Sequence, residues 1–202
     1  MHISEGVLTA PVLGGGAVLA VAGTWLGLRK LDYDRLMTVA ILSAAFFVAS
    51  LIHVPVGVAS AHLIMNGLLG AVLGWAAFPA ILVGLALQAL LFQFGGITVL
   101  GVNTFNMAAP AVLCGMLFRG LMERGGRART IGGFLCGALS VTLSAALTAG
   151  SLALAGDGFL AAAGALFAAH VPVMVAEGVV VAFAVSFLGR VRPELLAFRT
   201  SA

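Results

Sequence analysis

The chain has 202 residues, of which 62% are hydrophobic and only 8% are charged. Soluble domains carry about 25% charged residues, so this composition excludes a water-soluble domain and predicts an integral membrane protein. The formal net charge of +3 comes from ten Lys and Arg residues against seven Asp and Glu residues. Because one crossing needs about 20 apolar residues, this length allows six or seven membrane helices.

Charges, Pro and Gly divide the sequence into apolar segments. Residues 62–94 are almost unbroken, and as one helix they would be about 50 Å long, too long for one crossing. We therefore place a turn from Trp75 to Pro79. The sequence then predicts a single domain over residues 1–202, an all-α bundle of seven transmembrane helices at about 10–29, 35–53, 60–76, 78–94, 104–123, 130–155 and 159–189.

The basic residues predict how this bundle is oriented. With seven spans all ten fall on one side of the membrane: Arg29, Lys30, Arg35, Arg119, Arg124, Arg127, Arg129, Arg190, Arg192 and Arg199. Short cytoplasmic loops carry the excess of Lys and Arg, so we expect the C-terminus in the cytoplasm and the N-terminus outside. Six spans would divide the basic residues between the two faces.

The first two residues, Met1 and His2, are candidates for binding a metal ion. The segment does not resemble a signal peptide, since it lacks a basic start and carries Glu5, and the large His2 should keep Met1 in place. The N-terminal amine, the His2 amide nitrogen and its imidazole Nδ1 can form two fused chelate rings. Three nitrogens in a plane suit Ni(II), Cu(II) or low-spin Co(II).

Three other histidines are present, and histidine is the commonest nitrogen ligand of transition metals. His62, at the outer start of the third span, could complete a plane of four nitrogens with Met1 and His2. His53 is the alternative, although Pro55 follows closely and favours a helix end at the headgroups. A helix-end or packing role is the plainer interpretation of each histidine taken alone.

Polar residues gather around the glycine-rich external loop that begins at Gly95. They could hydrogen-bond the ligating imidazoles or cover the site; they are Gln88, Gln93, Thr98, Asn103 and Asn106. The simpler alternative is that Asn103 or Asn106 caps the fifth span. Non-helical backbone at this depth is tolerated where protein covers it or where it lines a cavity.

Two further patterns lie inside the spans. His170 and Glu177 are two helical turns apart and share one face of the seventh span, where we expect a structural or coupling role. Small residues in the second span, at spacings that let another helix approach, form a possible partner surface; these are Ala40, Ala44, Ala45 and Ala49.

The sequence lacks a phosphate-binding Gly-Lys-Ser/Thr loop, an HExxH motif and a nucleophile with a nearby base. We therefore expect a non-catalytic protein that hydrolyses no nucleotide itself. Metal transport coupled to an ion gradient, without partners, is one alternative, although no clear inverted repeat is visible. A structural membrane subunit whose histidines only pack is the other.

Several motifs resemble the CbiM/NikM family, the substrate-binding membrane (S) components of energy-coupling-factor importers for cobalt and nickel. They are Met1-His2-Ile3-Ser4-Glu5-Gly6, Ser60-Ala61-His62-Leu63, Gly95-Gly96-Ile97-Thr98-Val99-Leu100-Gly101-Val102-Asn103 and His170-Val171-Pro172 with Glu177-Gly178. The resemblance covers nearly the whole chain. It implies a seven-helix core and a planar site formed by the Met1 amine, the His2 amide and imidazole, and the His62 imidazole.

The same resemblance implies the partners and the membrane. These would be a transmembrane coupling (T) protein, two cytoplasmic ATPases and a small auxiliary membrane protein, in the cytoplasmic (inner) membrane of a prokaryote, with no nucleic acid and no organic cofactor. The transported substrate would be Co²⁺ or Ni²⁺. Nitrogen donors alone do not separate the two ions, and a slight preference for cobalt rests on the family.

Overall fold

The computed structural model describes residues 3–51, 53–56 and 59–196, and within them every side chain except those of residues 53–56, 59–62 and 157. This part of the chain is helical apart from one short hairpin. The helices are α1 (Ala10–Arg29), α2 (Leu36–Leu51), α3 (Asn66–Leu73), α4 (Ala77–Phe92), α5 (Leu100–Glu123), α6 (Gly126–Ala153), α7 (Leu160–Ala169) and α8 (Val171–Val191). The hairpin pairs strands β1 (His53–Val56) and β2 (Ala59–His62).

The structure confirms a helical, multi-pass membrane protein. In the described residues six helical stretches are long and apolar enough to cross a membrane, one fewer than the sequence predicts. They are Ala10–Arg29, Tyr33–Leu51, Asn66–Phe92, Leu100–Glu123, Gly126–Ala153 and Leu160–Val191. The difference arises because the predicted spans 60–76 and 78–94 fall largely within one apolar stretch, in which α3 is too short to qualify by itself.

The chain nevertheless reverses direction between α3 and α4. Gly74 has a φ of +55° and a turn of 3-10 helix spans Gly74–Ala76. The Arg35 guanidinium, next to the start of α2, donates to the carbonyl oxygen of Val72 at 2.9 Å, so α3 runs toward the Arg35 end of the bundle. From there α4 runs back alongside α2.

Contacts between α2 and α4 show that these two helices are parallel. Residues further along one helix meet residues further along the other: Ser43 meets Ala80, Phe46 meets Gly84 and Ser50 meets Gln88. By contrast α6 and α8 are antiparallel, since Gly137 lies against Glu177 and Gly133 lies against Ala182. The helices therefore alternate in direction along the chain, with α7 and α8 following each other.

The short helix α3 lies at the centre of the bundle, and all eight of its residues are buried. Glycines let its neighbours approach: a Cβ on Gly70 would overlap the carbonyl oxygen of Ala111 in α5, and a Cβ on Gly67 would lie 2.7 Å from the Cα of Gly137 in α6. Close backbone approach through small residues is the usual way in which membrane helices pack. An 8-residue helix rises only about 12 Å, so α3 crosses no more than part of the membrane.

The segment before α3 differs from the predicted helix that begins at residue 60. Residues 59–62 form β2 instead, in an antiparallel register that pairs His53 with His62. A segment of four residues is too short for its periodicity to distinguish a strand from a helix. The predicted last span, 159–189, is likewise divided, because α7 ends at Ala169 and α8 begins at Val171 with Pro172 in its first turn.

Basic residues from distant parts of the sequence meet at one end of the bundle. A single groove is lined by Lys30, Arg35, Arg119 and Arg192, and Arg35 also donates to the carbonyl oxygen of Leu195 at 3.0 Å. At the other end a small hydrophobic cluster joins the N-terminal segment to the start of α5 and the end of α6; it contains Ile3, Leu8, Val99, Val102, Leu152 and Ala163.

Candidate metal centre

The predicted nitrogen ligands fall at the edges of the described structure. Met1 and His2 lie outside the described residues, and His62 and His53 are described by their backbone alone. Among the side chains that are described, no group of three His, Cys, Asp or Glu lies close enough to hold a metal ion. The site is therefore defined by the residues that hold Ile3 and Ile64, which lie one and two positions from the predicted ligands.

Ile3 is fastened to the start of α5 by Asn103. The Ile3 N–H donates to Oδ1 of Asn103 at 3.1 Å, and Nδ2 of Asn103 donates to the Ile3 carbonyl oxygen at 3.1 Å. Both residues are only 3% exposed. A buried side chain that satisfies both backbone groups of one residue fixes its position, because breaking either bond would leave a polar group unpaired. Asn103 therefore fixes the position of Ile3 against the start of α5.

Glu5 makes a second attachment, to the loop before α5. Its Oε1 accepts from the Thr98 N–H at 3.0 Å and from the Thr98 hydroxyl at 3.1 Å, while the Glu5 N–H donates to the Gly95 carbonyl oxygen at 3.2 Å. The hydrogen bonds from Thr98 lower the pKa of the exposed Glu5 carboxyl. Gly96 has a φ of +132°, and a Cβ there would overlap the Glu5 side chain, so this position requires glycine.

Glu177 of α8 holds the segment that follows His62. Its Oε1 accepts from the N–H of Ile64 and, at 2.8 Å, from the N–H of Met65. Glu177 is fully buried, and Met65 has a φ of +55° just before α3 begins. Non-glycine residues rarely adopt this backbone conformation. A carboxylate at the start of α3 satisfies backbone donors that the helix leaves free, and it complements the helix dipole.

Helix α5 brings the two attachments together. Asn66, the first residue of α3, donates from Nδ2 to the Met107 carbonyl oxygen at 3.4 Å and to the Ser144 hydroxyl at 2.8 Å. Asn103 and Met107 are four residues apart, so they lie on one face of α5 about 6 Å apart along its axis. Ile3 and the first residue of α3 thus contact the same face of α5, one helical turn apart.

The residues predicted to surround the ligands divide into two groups. Thr98 and Asn103 hold the N-terminal segment through its backbone and Glu5, a role that the sequence did not specify. The others make separate contacts. Gln88 donates to the Ser50 hydroxyl at 2.6 Å between α4 and α2, Asn106 donates to the Ser151 hydroxyl at 3.1 Å, and Gln93 ends α4 with a φ of +58°.

His170 and the small residues of α2 lie away from these attachments. Nδ1 of His170 is 2.7 Å from the Leu166 carbonyl oxygen, where α7 meets α8. This is a local contact at a helix junction, and the structural or coupling role of His170 stays a prediction. On α2, Ala40 and Ala44 are exposed, whereas Ala45 and Ala49 are half-buried, so a possible partner surface on α2 stays a prediction.

Sequence reasoning missed several residues of this region, namely Glu5, Gly96, Asn66, Ser140 and Ser144. Ser140 donates to Oδ1 of Asn66 at 3.1 Å, which completes the hydrogen bonding of that amide. The available signals were weak: an acidic residue near an apolar terminus, and an Asn inside an unbroken apolar run. Their partners are 74 to 93 residues away in the sequence, beyond the reach of any local pattern.

Comparisons with known proteins agree with the resemblance found in the sequence. Residues 2–195 match the CbiM family, described as the cobalt uptake substrate-specific transmembrane region. A Haemophilus influenzae protein that its name assigns to metal transport is 45% identical over 199 residues, 97% of each chain. The cobalt transport protein CbiM of Sorangium cellulosum is 32% identical, over 97% of this chain and 94% of that protein.

A nickel transporter and a solved structure are also similar. The fused nickel transport protein NikMN of Rhodobacter capsulatus is 35% identical over 98% of this chain, which spans 65% of that longer protein. A crystal structure of a transition metal transporter superposes with a TM-score of 0.79 at 27% identity, covering 95% of this chain and 93% of the other. The similarity therefore extends to the three-dimensional fold.

Proposed function

The chain belongs to the CbiM family of substrate-specific membrane proteins for cobalt uptake, and we propose on this basis that it captures Co²⁺ or Ni²⁺ as the substrate of an importer. The curated relatives named above include both a cobalt and a nickel transport protein. The protein is thus a membrane component of transition-metal transport. Its own part is binding and release of the ion rather than covalent chemistry.

We propose that four nitrogens bind the ion: the Met1 amine, the His2 amide, the His2 imidazole and the His62 imidazole. The observation that supports this set is the shared face of α5. Asn103 holds Ile3 there, and the Met107 carbonyl oxygen, one turn further along, accepts from Asn66. Ile3 directly follows the proposed chelating dipeptide, and Asn66 lies four residues after His62.

This set of donors explains the choice of ion class. Planar nitrogen donors favour Ni(II), Cu(II) and low-spin Co(II) over Mg²⁺ or Ca²⁺. Binding requires a neutral amine, neutral imidazoles and a deprotonated His2 amide, so each ion bound releases protons. We therefore expect affinity to fall in acid. Selection between cobalt and nickel would then depend on the exact geometry and on supply of the ion.

We further propose that the metal site faces the outside of the cell and that the basic end faces the cytoplasm. The meeting of Lys30, Arg35, Arg119 and Arg192 in one groove supports this orientation through the positive-inside rule. The alternating helix directions support seven partial or full crossings. A transmembrane coupling protein, an auxiliary membrane protein and two cytoplasmic ATPases would drive the loaded bundle through its transport cycle.

The decisive experiment compares protein with its native N-terminus and protein that carries one additional residue before Met1. The extra residue moves the amine out of chelating reach but leaves the Asn103 attachment in place. We expect Ni²⁺ and Co²⁺ affinity, measured by competition with a chelator, to collapse in the extended protein and in His62→Ala. His170→Gln is the matched control and should bind as the native protein does. Equal binding by native and extended protein would overturn the ligand set.

Partner dependence is tested separately. We expect proteoliposomes that contain this chain alone to bind Co²⁺ without accumulating it. Accumulation should appear when the coupling protein, the auxiliary membrane protein and the ATPases are added together with ATP. Uptake by the chain alone, driven by an ion gradient, would instead establish a stand-alone transporter. Absence of metal binding in the native chain would indicate a structural subunit.

A further inference from the structure

We infer that Glu177 is a positioning residue for the metal site: from α8 it holds the backbone of residues 64 and 65 and so sets the position of His62. The inference rests on the proposed function, because it takes His62 to be a ligand. It adds a residue 113 positions away from Ile64, on a different helix, to the residues that determine metal affinity.

Glu177 places a carboxylate in the interior of the bundle. Glu177 is fully buried in the interior of α8, within a stretch long and apolar enough to cross the membrane. Placing an ionisable group there costs free energy, and such groups in membrane helices usually serve function. The hydrogen bonds from Ile64 and Met65 go to Oε1, whereas Oε2 has no partner among the described residues. A purely packing role would be met by an apolar side chain.

Helix α3 is held in place by contacts that do not involve Glu177. Asn66 is tied to α5 through Met107 and to α6 through Ser140 and Ser144. Only residues 63–65 separate His62 from this anchored point. Within this short link, Glu177 accepts from the N–H groups of Ile64 and Met65, and Met65 has a left-handed conformation. Removing the acceptor would free these two N–H groups without detaching α3.

Helix α8, which carries Glu177, is itself held rigidly. Its helix packs closely on α6: a Cβ on Gly137 would lie 2.6 Å from the Glu177 carbonyl oxygen, and a Cβ on Gly178 would lie 2.8 Å from the Phe134 ring. Such close packing leaves the carboxylate little freedom to follow a displaced segment. Residues 64 and 65 are therefore located relative to α6 and α8 together.

A double-mutant cycle tests this coupling, with Ni²⁺ affinity and the visible absorption spectrum of the bound ion as readouts. Glu177→Leu removes the acceptor and should weaken binding about 10- to 100-fold, the usual effect of losing a partner that orients a metal ligand. Glu177→Gln retains an oxygen that accepts both N–H groups and should bind within about threefold of native. In a His62→Ala background, Glu177→Leu should cause no further loss, because its effect acts through His62.

Ser43→Ala is the matched control. It removes a buried hydrogen bond, from the Ser43 hydroxyl to the Ala80 carbonyl oxygen at 2.8 Å, in the α2–α4 contact. It should leave affinity and spectrum unchanged. If Glu177→Leu does not fold, Glu177→Ala takes its place in the cycle.

The outcomes separate this inference from the proposed function. Native affinity in His62→Ala would overturn both. Loss of affinity in His62→Ala together with an undiminished further loss from the Glu177 variant would overturn only the inference, since Glu177 would then act on the bundle as a whole. An unchanged spectrum and affinity in Glu177→Leu would also overturn it.

Discussion

The centre of the bundle and the segments around the proposed site are held by different forces. Around α3 the backbones touch: Gly70 lies against Ala111, Gly67 lies against Gly137, and no space remains for a side chain. Around the site the chain is irregular and is held by a few hydrogen bonds from single side chains. Asn103 holds Ile3, and Glu177 holds the two residues before α3.

This difference predicts which substitutions will change the stability of the fold and which will change metal binding. In the centre, one added methyl group displaces backbone, so its effect spreads through three helices. At the site, loss of one polar group releases a short segment whose neighbours stay packed. A metal-transport protein gains from this division, since the ion must enter and leave while the bundle stays folded. Two substitutions and a change of pH test it, in order of decreasing effect.

Gly70→Ala should have the largest effect, and it should fall on stability. Its Cβ would overlap the carbonyl oxygen of Ala111, a backbone atom that moves only if α3 and α5 separate. Overpacking of this kind costs about 1–3 kcal/mol or more. We expect a lower midpoint of unfolding in detergent for the metal-free protein, measured by thermal or denaturant titration.

Gly150→Ala is the matched control for that measurement. Gly150 lies in α6, and a Cβ there would meet no atom within 4 Å. Alanine should stabilise this helix slightly, by up to about 1 kcal/mol, because glycine is the poorer helix former. Equal stability of the Gly70 and Gly150 variants would contradict the view that α3 is held by close backbone approach.

Asn103→Leu should have the next largest effect, on metal binding more than on stability. It removes both hydrogen bonds to Ile3, each with a net contribution of about 0.5–1.5 kcal/mol, or about 1–3 kcal/mol together. If the docked segment carries the chelating dipeptide, this corresponds to a loss of roughly 5- to 150-fold in Ni²⁺ affinity. Chelator competition measures it directly.

Asn106→Leu provides the comparison on the same helix. Asn106 is also buried, but its amide donates to the Ser151 hydroxyl instead of to the N-terminal segment. We expect its metal affinity to stay within about threefold of native, because the cost of its lost bond falls on the α5–α6 contact. A larger loss of affinity in the Asn106 variant than in the Asn103 variant would reverse the roles inferred here.

The sequence predicted those features of the fold that depend on composition and on the local spacing of apolar residues. Apolar content and charge placement identified a helical membrane protein, and the first helix occupies the predicted residues, Ala10–Arg29. It did not predict β2 at Ala59–His62, because four residues are too few for their periodicity to separate a strand from the start of a helix. It placed the turn within residues 62–94 at Trp75 to Pro79, and the observed turn begins one residue earlier, at Gly74.

The contacts around the proposed site could be predicted from the sequence even less well than the fold. Asn103 and Thr98 stood out as polar residues in a glycine-rich loop, yet their partners, Ile3 and Glu5, lie 100 and 93 positions away. Glu177 stood out only as an ionisable group in a span, and its hydrogen bonds to the backbone of residues 64 and 65 follow from the packing of α8. Long-range pairing of a side chain with a backbone amide leaves no trace in the periodicity of a single sequence.

The smallest effect should come from acid acting on Glu5. Its pKa is lowered from the ordinary value of 4.5 by the hydrogen bonds from Thr98. The carboxylate therefore supports the docked segment fully above about pH 4.5, and this support is lost as the pH falls through the lowered pKa. Because Glu5 is exposed, the change should not exceed about fivefold in the protection of the Thr98 amide against hydrogen exchange.

Metal-free protein is the right sample for this measurement, since the proposed ligands also take up protons. Glu5→Gln should give weaker protection of the Thr98 amide that no longer changes with pH once intrinsic exchange is subtracted. Glu194→Gln is the control, because Glu194 is another exposed carboxyl with a lowered pKa but lies at the basic end. If Glu5→Gln keeps the native pH profile, the Glu5–Thr98 contact does not hold the N-terminal segment, and Asn103 alone must do so.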